Sequence, residues 1–420
     1  MADKLIRNHQ EKRIFFERWL SFAAEVFLGL YLVLLISLYP ESSIYCNNLA
    51  TLALVCGIIL LILRPPGDKP IWPYWTFIGG IAGFYLVNLL AVGLAEKIPG
   101  IGHTSSAWEH LPGLLLALTT AVSVRNRRSA GRVLAVLLIV AGLWYLGEVI
   151  SLPWRYPYFQ GRFVGHRGHH TQLSKELLLL FSLYLGYAAL LSNRRLAAAA
   201  LFGAVLMGVL LFMTKTRFAL LAMMFVTIPS VFVIQNRFGA YRRRLICALA
   251  WILIIAPAMS LIWYKTASPE RKSLAHAETR IAAWKIIIQI AEKESWFRKL
   301  VGHGRFSDTF SALVGRYNID ESGLQGEKLA HAHNTILQTF LETGLLGVAI
   351  LILIWASAFY RALSAWLRRR EADAVIPGVM VVALISIAVM AQMDYILWKL
   401  PELLSFFLLG LAAASGANDE

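Results

Sequence analysis

Long apolar runs without charged residues, separated by short charged segments, constrain this chain more than any other feature of its sequence. A helix needs about 20 residues to cross the roughly 30 Å of hydrocarbon in a bilayer, and many of these runs reach that length. Of the 420 residues, 58% are hydrophobic and only 15% are charged, which is too little polar surface for a soluble domain of this size. The sequence therefore predicts a polytopic membrane protein. Its spans must be helical because backbone groups find no other partners in lipid.

The apolar runs predict about twelve transmembrane helices, so the expected fold class is an all-α membrane bundle. The expected spans are Leu20–Tyr39, Ile44–Leu63, Trp72–Ala95, Leu111–Val124, Val133–Leu152, Leu173–Leu191, Leu196–Met213, Phe218–Gln235, Leu245–Tyr264, Ile336–Tyr360, Ala374–Gln392 and Tyr395–Ala414. The fourth run is short, which fits a tilted or a re-entrant segment. Nine spans thus fall in residues 20–264 and three in residues 336–420.

Lysine and arginine residues predict the orientation of the bundle. They are concentrated in the amino-terminal segment, residues 1–19, and in every second loop after it. By the positive-inside rule these loops and both termini lie in the cytoplasm. The same rule, together with anionic lipid headgroups, accounts for the formal charge of +15 without a nucleic-acid partner. The amino-terminal segment shows no cleavage site, so the first run is expected to be an uncleaved anchor.

Two loops on the opposite, non-cytoplasmic side stand out. Residues 153–172 are rich in arginine and histidine, and residues 265–335 form the longest connection in the chain. Loops beyond about 12–15 residues inside a compact fold are usually functional or disordered. The second loop reads as helical instead, with an amphipathic helix over Arg271–Lys293 and a short helix over Ser307–Tyr317. The expected apolar face of the first helix is Leu274, Ala277, Ile281, Trp284, Ile288 and Ala291.

A histidine pair ends the long outer loop and provides the sharpest local signal. His331 and His333 are followed by Asn334, and Thr335 and Gln338 have the spacing of a capping box, which predicts that the tenth span begins there. This places His333 at the outer mouth of the bundle. A histidine there can accept a proton from a sugar hydroxyl at neutral pH. The alternative is a histidine that caps a helix or hydrogen-bonds to a loop carbonyl.

The run H-N-x-x-L-x-x-x-x-E-x-G-x-x-G, from His333 to Gly347, resembles the signature of the O-antigen ligase and polymerase superfamily. Three upstream pieces agree with it in order and spacing: Lys215-Thr216-Arg217, Arg280 with Trp284, and Gly302-His303-Gly304. Threonine replaces the serine that the family has at Thr216, and Phe218 stands where glycine is common. The resemblance extends from Met213 to the carboxyl end, whereas the first 150 residues match only as hydrophobic spans.

Arginines on the outer side suggest a phosphate-binding function. Arg217 lies at the outer end of an apolar run, where a charge is costly unless it faces a polar cavity or a partner. Lys215 lies beside it, and Arg280 lies on the helix of the long loop. An arginine fork binds phosphate oxygens in a bidentate manner and stabilises a diphosphate leaving group. The alternative is that these arginines reach towards anionic lipid headgroups.

A metal site built on histidines is the competing interpretation. Its candidate ligands are His166, His169, His170, His331 and His333. No cysteine or carboxylate joins either group at ligand spacing, although Asp320 and Glu321 can fold nearby. The chain also has no Asp-x-Asp pair, which glycosyltransferases use to hold a divalent cation against a diphosphate. These observations favour a reaction without metal or cofactor.

The resemblance implies a glycosyltransferase of the bacterial inner membrane with a periplasmic active site. The implied reaction is transfer of a glycan from undecaprenyl diphosphate to a sugar hydroxyl of lipid A-core oligosaccharide, with inversion. The expected catalytic residues are His333 as the base, Arg217, Arg280 and Asp394. For Asp394 three alternatives are open: it orients His333, it pairs with an arginine, or it is merely solvated. The expected contacts to the diphosphate or the acceptor are Lys215, Arg162, Arg167, His166, His169, His170 and Asn334. The alternatives are a polymerase that joins lipid-linked repeats and a transporter of lipid-linked sugars.

Overall fold

The computed structural model describes residues 2–38, 72–94, 111–124, 127–151, 158–159, 162–163, 170–216, 275–304, 309–319, 331–368, 374–397 and 399–415, with shorter helical pieces between 51 and 59 and between 219 and 227. The helices are α1 (Ala2–Leu38), α2 (Trp72–Gly93), α3 (Leu111–Ser123), α4 (Arg127–Ser151), α5 (His170–Leu190), α6 (Arg194–Met213), α7 (Ala275–Lys293), α8 (Trp296–Val301), α9 (Thr309–Arg316), α10 (Thr335–Arg368), α11 (Val375–Met393) and α12 (Lys399–Ser415). Strands β1 (Tyr158–Phe159) and β2 (Arg162–Phe163) form one short antiparallel hairpin in the first outer loop.

The helical membrane bundle predicted from the sequence is confirmed, but the count of about twelve spans is not. Among the described residues, seven helices are long and apolar enough to cross a membrane, and α3 and α12 are shorter apolar helices. The expected span Leu245–Tyr264 lies outside the described residues, as do most of Ile44–Leu63 and Phe218–Gln235. The short fourth run forms a helix of 13 residues, α3.

Helix α5 occupies the centre of the bundle. Of the most apolar 18-residue stretch of α5, 94% is buried within the protein, whereas the corresponding share is 39% in each of α2, α4 and α6. Helices α6 and α11 pack on α5, and α12 lies against α3, α10 and α11. The outer helices instead present large apolar side chains such as Leu86, Leu143 and Phe202 outwards, as expected of surfaces that contact lipid. A charged side chain on α5 is therefore surrounded by protein rather than by lipid.

The long outer loop forms a helical layer with its own small core. The helix predicted over Arg271–Lys293 is present as α7, and the second predicted helix is present as α9. The predicted apolar face of α7 was wrong, because Ile281 and Ile288 are 50% and 55% exposed. The buried face consists of Ala283, Ile286, Ile287 and Ile290, which pack with α9 and the start of α10. Because isoleucine and alanine residues cover a broad part of the surface of α7, helical spacing alone could not select which of them are buried.

Two glycines, Gly302 and Gly344, allow the outer layer to pack closely against α10. Gly302 and Gly344 both have left-handed backbone angles, with φ of 80° and 65°, and Gly344 breaks the helical geometry inside α10. The amides of His303 and Gly304 donate to the carbonyls of Leu341 and Glu342, at 3.0 and 2.8 Å. A Cβ atom at Gly302 would overlap the backbone of residues 342–343, and one at Gly344 would overlap the Leu300 carbonyl. Only glycine allows this close backbone approach at both positions.

Candidate active site

The start of α10 holds the signature motif in place. The helix begins at Thr335 as predicted, but the predicted capping box was wrong. Asn334 caps the helix, since its Oδ1 accepts from the Leu337 amide at 3.0 Å. Thr335 Oγ1 instead donates to the Asp394 carbonyl at 2.9 Å and accepts from the Ile396 amide at 3.0 Å. The first residue of α10 therefore fixes the segment between α11 and α12.

His333 has a left-handed backbone conformation, with φ of 50°. Only two other non-glycine residues of the described chain have a positive φ, Lys215 and Asn318. Such conformations cost free energy and persist where the surrounding structure enforces them. Here the Ala332 amide donates to Gln338 Oε1 at 3.0 Å, and Asn334 is held by its own cap. The residues on both sides of His333 are thus fixed. Two of the predicted site residues, Lys215 and His333, have this strained backbone conformation.

Asp394 joins the histidines to a buried lysine. His333 Nδ1 lies 3.0 Å from Asp394 Oδ1, so of the alternatives expected for Asp394 the contact with His333 is present. His331 Nε2 lies 3.6 Å from the same oxygen, and the Tyr395 amide donates to it at 2.8 Å. The other oxygen, Oδ2, lies 3.1 Å from Lys175 Nζ. One carboxylate thus links the segment before α10 to the central helix α5.

The charge state of this cluster follows from its surroundings. Burial by itself raises the pKa of the Asp394 carboxyl, but the Lys175 ammonium and hydrogen bonds with the two histidines outweigh burial, so the pKa lies well below its usual value. The carboxylate is therefore ionised at neutral pH, and His333 must donate its Nδ1 proton to it. The Nε2 atom of a neutral imidazole then carries the lone pair. The His333 side chain is 25% exposed, whereas that of Asp394 is 3% exposed.

Burial also lowers the pKa of His331, against the opposing effect of Asp394. His331 is therefore neutral at pH 7, and its ring lies 4.5 Å from that of His333, centroid to centroid. A neutral neighbour adds no positive charge beside His333. This arrangement leaves His333 as the more exposed of the two rings and the better placed to meet a substrate.

Helix α7 brings Arg280 to the same cluster. Burial lowers the pKa of the Arg280 guanidinium and the Asp394 carboxylate raises it, so the two charges lie within electrostatic reach of each other. Trp284, one turn further along α7, donates from Nε1 to the Ala332 carbonyl at 3.1 Å. The tryptophan thereby ties α7 to the residue before His333. An arginine beside a base can hold the negative charge of a substrate at the reacting centre.

The remaining predicted site residues are placed only in part. Lys215 follows α6 and is half-buried, and His170 begins α5 and is half-buried. Arg162 lies in β2, a strand that contacts α6. The other predicted residues lie outside the described chain: Arg217, His166, Arg167 and His169. The structure therefore brings His333, Asn334, Asp394 and Arg280 together, and the role of the basic outer loop stays a prediction.

A metal site has one geometric basis in the described residues. His331, His333 and Asp394 each offer a ligand atom, and these atoms lie within 4.8 Å of one another. Local ligand spacing could not show this carboxylate, because Asp394 is 61 residues away from His333 in sequence and the fold brings them together. The Lys175 ammonium, however, already neutralises Asp394 from 3.1 Å away. A divalent cation would add a second positive charge beside that ammonium, which disfavours its binding.

Lys175, Tyr395 and Glu342 were missed as candidate site residues. The Tyr395 hydroxyl donates to the Glu342 carboxylate at 3.0 Å, and Gln338 Nε2 donates to it at 2.8 Å. The Glu342 carboxylate belongs to the signature motif, and through Tyr395 it stabilises the segment that carries Asp394. The sequence did carry a signal for Lys175, since it lies within the first turn of the predicted span Leu173–Leu191. Ionisable residues in such runs usually have a function.

Comparison with known proteins identifies the segment that carries these residues. A family model described as O-antigen ligase matches residues 179–352, from the middle of α5 to the middle of α10. This segment is therefore similar to the O-antigen ligase family. The match supports the superfamily inferred from the His333–Gly347 motif, and together with the apolar helices it indicates a multi-pass membrane protein. No curated protein matches the chain.

The segment that matches the O-antigen ligase family contains most of the cluster but not all of it. His331, His333 and Arg280 lie inside the matched segment. Lys175 precedes the matched segment by four residues, and Asp394 follows it at the end of α11. The flanking helices therefore complete the candidate site by supplying its ion pair.

Asn334 allows a test that separates a cap from a substrate contact. Both ends of its amide bond to the protein, since Nδ2 donates to the Gln392 carbonyl at 3.2 Å and Oδ1 accepts from Leu337. We expect Asn334→Ser, which keeps a capping oxygen, to retain most of the activity. Asn334→Ala should lower the free energy of unfolding by about 1 kcal/mol. Thermal unfolding in detergent and a transfer assay measure the two effects. A loss of substrate affinity in Asn334→Ser at unchanged stability would instead support a substrate contact.

Proposed function

We propose that this protein is an O-antigen ligase that transfers a glycan from undecaprenyl diphosphate to a sugar hydroxyl of lipid A-core oligosaccharide. The proposed site faces the periplasm in the bacterial inner membrane, with both termini in the cytoplasm. The observation that carries the proposal is the contact of 3.0 Å between the buried Asp394 and His333, a residue of the segment that matches the O-antigen ligase family. A histidine whose Nδ1 donates to a carboxylate presents Nε2 as a base.

The proposed reaction is an in-line displacement that needs no metal ion. His333 Nε2 accepts the proton of the acceptor hydroxyl as the oxygen attacks the anomeric carbon from the side opposite the diphosphate. The bond from that carbon to the diphosphate breaks, the configuration inverts, and undecaprenyl diphosphate leaves. Arg280 and Arg217 hold the diphosphate and stabilise its developing charge, in place of a divalent cation. Lys215 and the basic residues of the 153–172 loop contribute to binding the diphosphate or the acceptor.

A polymerase that joins two lipid-linked repeats is the second candidate, because the family match supports both activities. The acceptor distinguishes the two reactions: a phosphorylated core oligosaccharide for the ligase and a second lipid-linked glycan for the polymerase. The 153–172 loop, with its three histidines and three arginines, favours the ligase because it suits a phosphorylated acceptor. Its strand β2 contacts α6, the helix that leads to Lys215.

A reconstituted assay tests the proposal directly. Purified protein in liposomes receives undecaprenyl-diphosphate glycan and lipid A-core, with a chelator of divalent cations present throughout. We expect glycan to appear on the lipid A-core, at a rate that added zinc or magnesium does not increase. Elongation of the lipid-linked donor without transfer to the core would identify a polymerase. Transfer that occurs only after metal is restored would contradict the metal-independent mechanism and point to His331, His333 and Asp394.

A further inference from the structure

Lys175 places a buried ammonium group near the start of α5. It lies on the central helix α5, and its side chain is only 6% exposed. Moving an ammonium out of water is costly, and the cost is offset only by close partners of opposite charge or by hydrogen bonds. A buried lysine at this position is thus maintained against a penalty that any apolar residue would avoid.

The partners of Lys175 all belong to the segment between α11 and α12. Its Nζ lies 3.1 Å from Asp394 Oδ2 and donates to the Tyr395 carbonyl at 2.8 Å. The opposite oxygen, Asp394 Oδ1, faces His333 Nδ1 at 3.0 Å. The two oxygens of the Asp394 carboxylate therefore have different partners: the Lys175 ammonium lies next to Oδ2 and the His333 imidazole next to Oδ1.

We propose that Lys175 is a positioning residue for His333. It pairs with Asp394 Oδ2 and thereby keeps the carboxylate turned so that Oδ1 meets His333 Nδ1. The proposal rests on the proposed function, in which His333 is the base. Lys175 itself touches no substrate in this mechanism. It determines instead which nitrogen of His333 carries the proton and how the ring is oriented.

The other charged and titratable groups around Asp394 do not substitute for Lys175. Arg280 of α7 interacts electrostatically with the carboxylate, and the neutral His331 shares Oδ1 with His333. The Glu342 carboxylate accepts a hydrogen bond from the Tyr395 hydroxyl. The Lys175 ammonium faces Oδ2 at 3.1 Å. Removing its charge leaves a buried carboxylate that is more easily protonated and free to rotate.

The test is a double-mutant cycle with kinetic readout. We expect Lys175→Met to lower kcat about 100-fold while the KM for the lipid-linked donor changes less than about twofold. Lys175→Gln keeps a donor for the Tyr395 carbonyl but loses the charge, so it should resemble Lys175→Met. Lys175→Arg restores the charge and should recover part of kcat. Because Lys175 acts through Asp394, Lys175→Met in an Asp394→Asn background should cost less than about threefold.

Thermal unfolding of the same variants supplies a readout that needs no substrate. Each single substitution leaves one buried charge without its partner, so the double variant should unfold at a higher temperature than the sum of the two single shifts predicts. This coupling persists even if the transfer assay identifies a polymerase, so failure of the proposed function and failure of this proposal are distinguishable. Kinetic effects of Lys175→Met and Asp394→Asn that simply multiply would overturn the proposal. A raised donor KM at unchanged kcat would also overturn it and make Lys175 a donor-binding residue.

Discussion

Replacing His333 by alanine is expected to lower glycan transfer by about 10²- to 10⁴-fold while leaving donor binding intact. The physical reason is that no other described group can take the place of its Nε2. The neighbouring His331 is more deeply buried, and it faces Asp394 with its own Nε2 at 3.6 Å. The measurement is the transfer rate in liposomes, together with the affinity of the variant for the undecaprenyl-diphosphate donor.

Asp394→Asn provides the matched comparison for this prediction. The amide keeps the size of the side chain but removes the negative charge that orients His333 and stabilises the imidazolium formed when the base accepts a proton. We expect a loss in kcat of the same order, with the KM for the donor little changed. His333→Ala that retains transfer at a rate near that of the unchanged protein would exclude His333 as the base, whatever Asp394→Asn does.

Gly344→Ala is expected to have the largest effect on stability, about 3 kcal/mol or more. Gly344 has a φ of 65°, and its added Cβ would overlap the carbonyl of Leu300 in α8. The Leu300 carbonyl belongs to α8 and Gly344 belongs to α10, so the backbone can make room for the added Cβ only if α8 and α10 move apart. We therefore expect a lower unfolding temperature in detergent and a large loss of transfer, since α10 carries the His333 segment.

Gly315→Ala is the control for this substitution. Gly315 lies in α9 of the same outer layer, its φ is not in the left-handed region, and a Cβ there would meet nothing within 4 Å. Because alanine is a better helix former than glycine, stability should be unchanged or slightly raised, by less than about 1 kcal/mol. Equal losses in the two variants would show that the outer layer tolerates no added side chain and would remove the special role assigned to Gly344.

The sequence alone predicted the membrane bundle, because lipid forces apolar runs of sufficient length into helices whatever their neighbours are. It also predicted the start of α10 at Thr335, which follows from the local spacing of polar residues. The resemblance to the O-antigen ligase superfamily indicated a role for Asp394 but left open whether it contacts His333 or an arginine. The fold shows the contact with His333.

The sequence was wrong where several local patterns were equally good. Asn334 and Thr335 are both suitable capping residues, and the choice between them depends on Thr335 bonding to the backbone of residues 394 and 396. Helix α7 is apolar on most sides, and its buried face depends on where α9 and α10 pack against it. Local spacing contains no information about the positions of these distant partners.

The sequence by itself therefore determined the class of fold, the family and the base that we propose for the reaction. Only the tertiary structure decided which charge supports that base. Lys175 and Asp394 are separated by more than two hundred residues, and they meet because α5 is buried at the centre and packs against α11. The physical reason is that an ion pair in a protein interior depends on distances of a few ångströms and on burial, and both are properties of the packed helices.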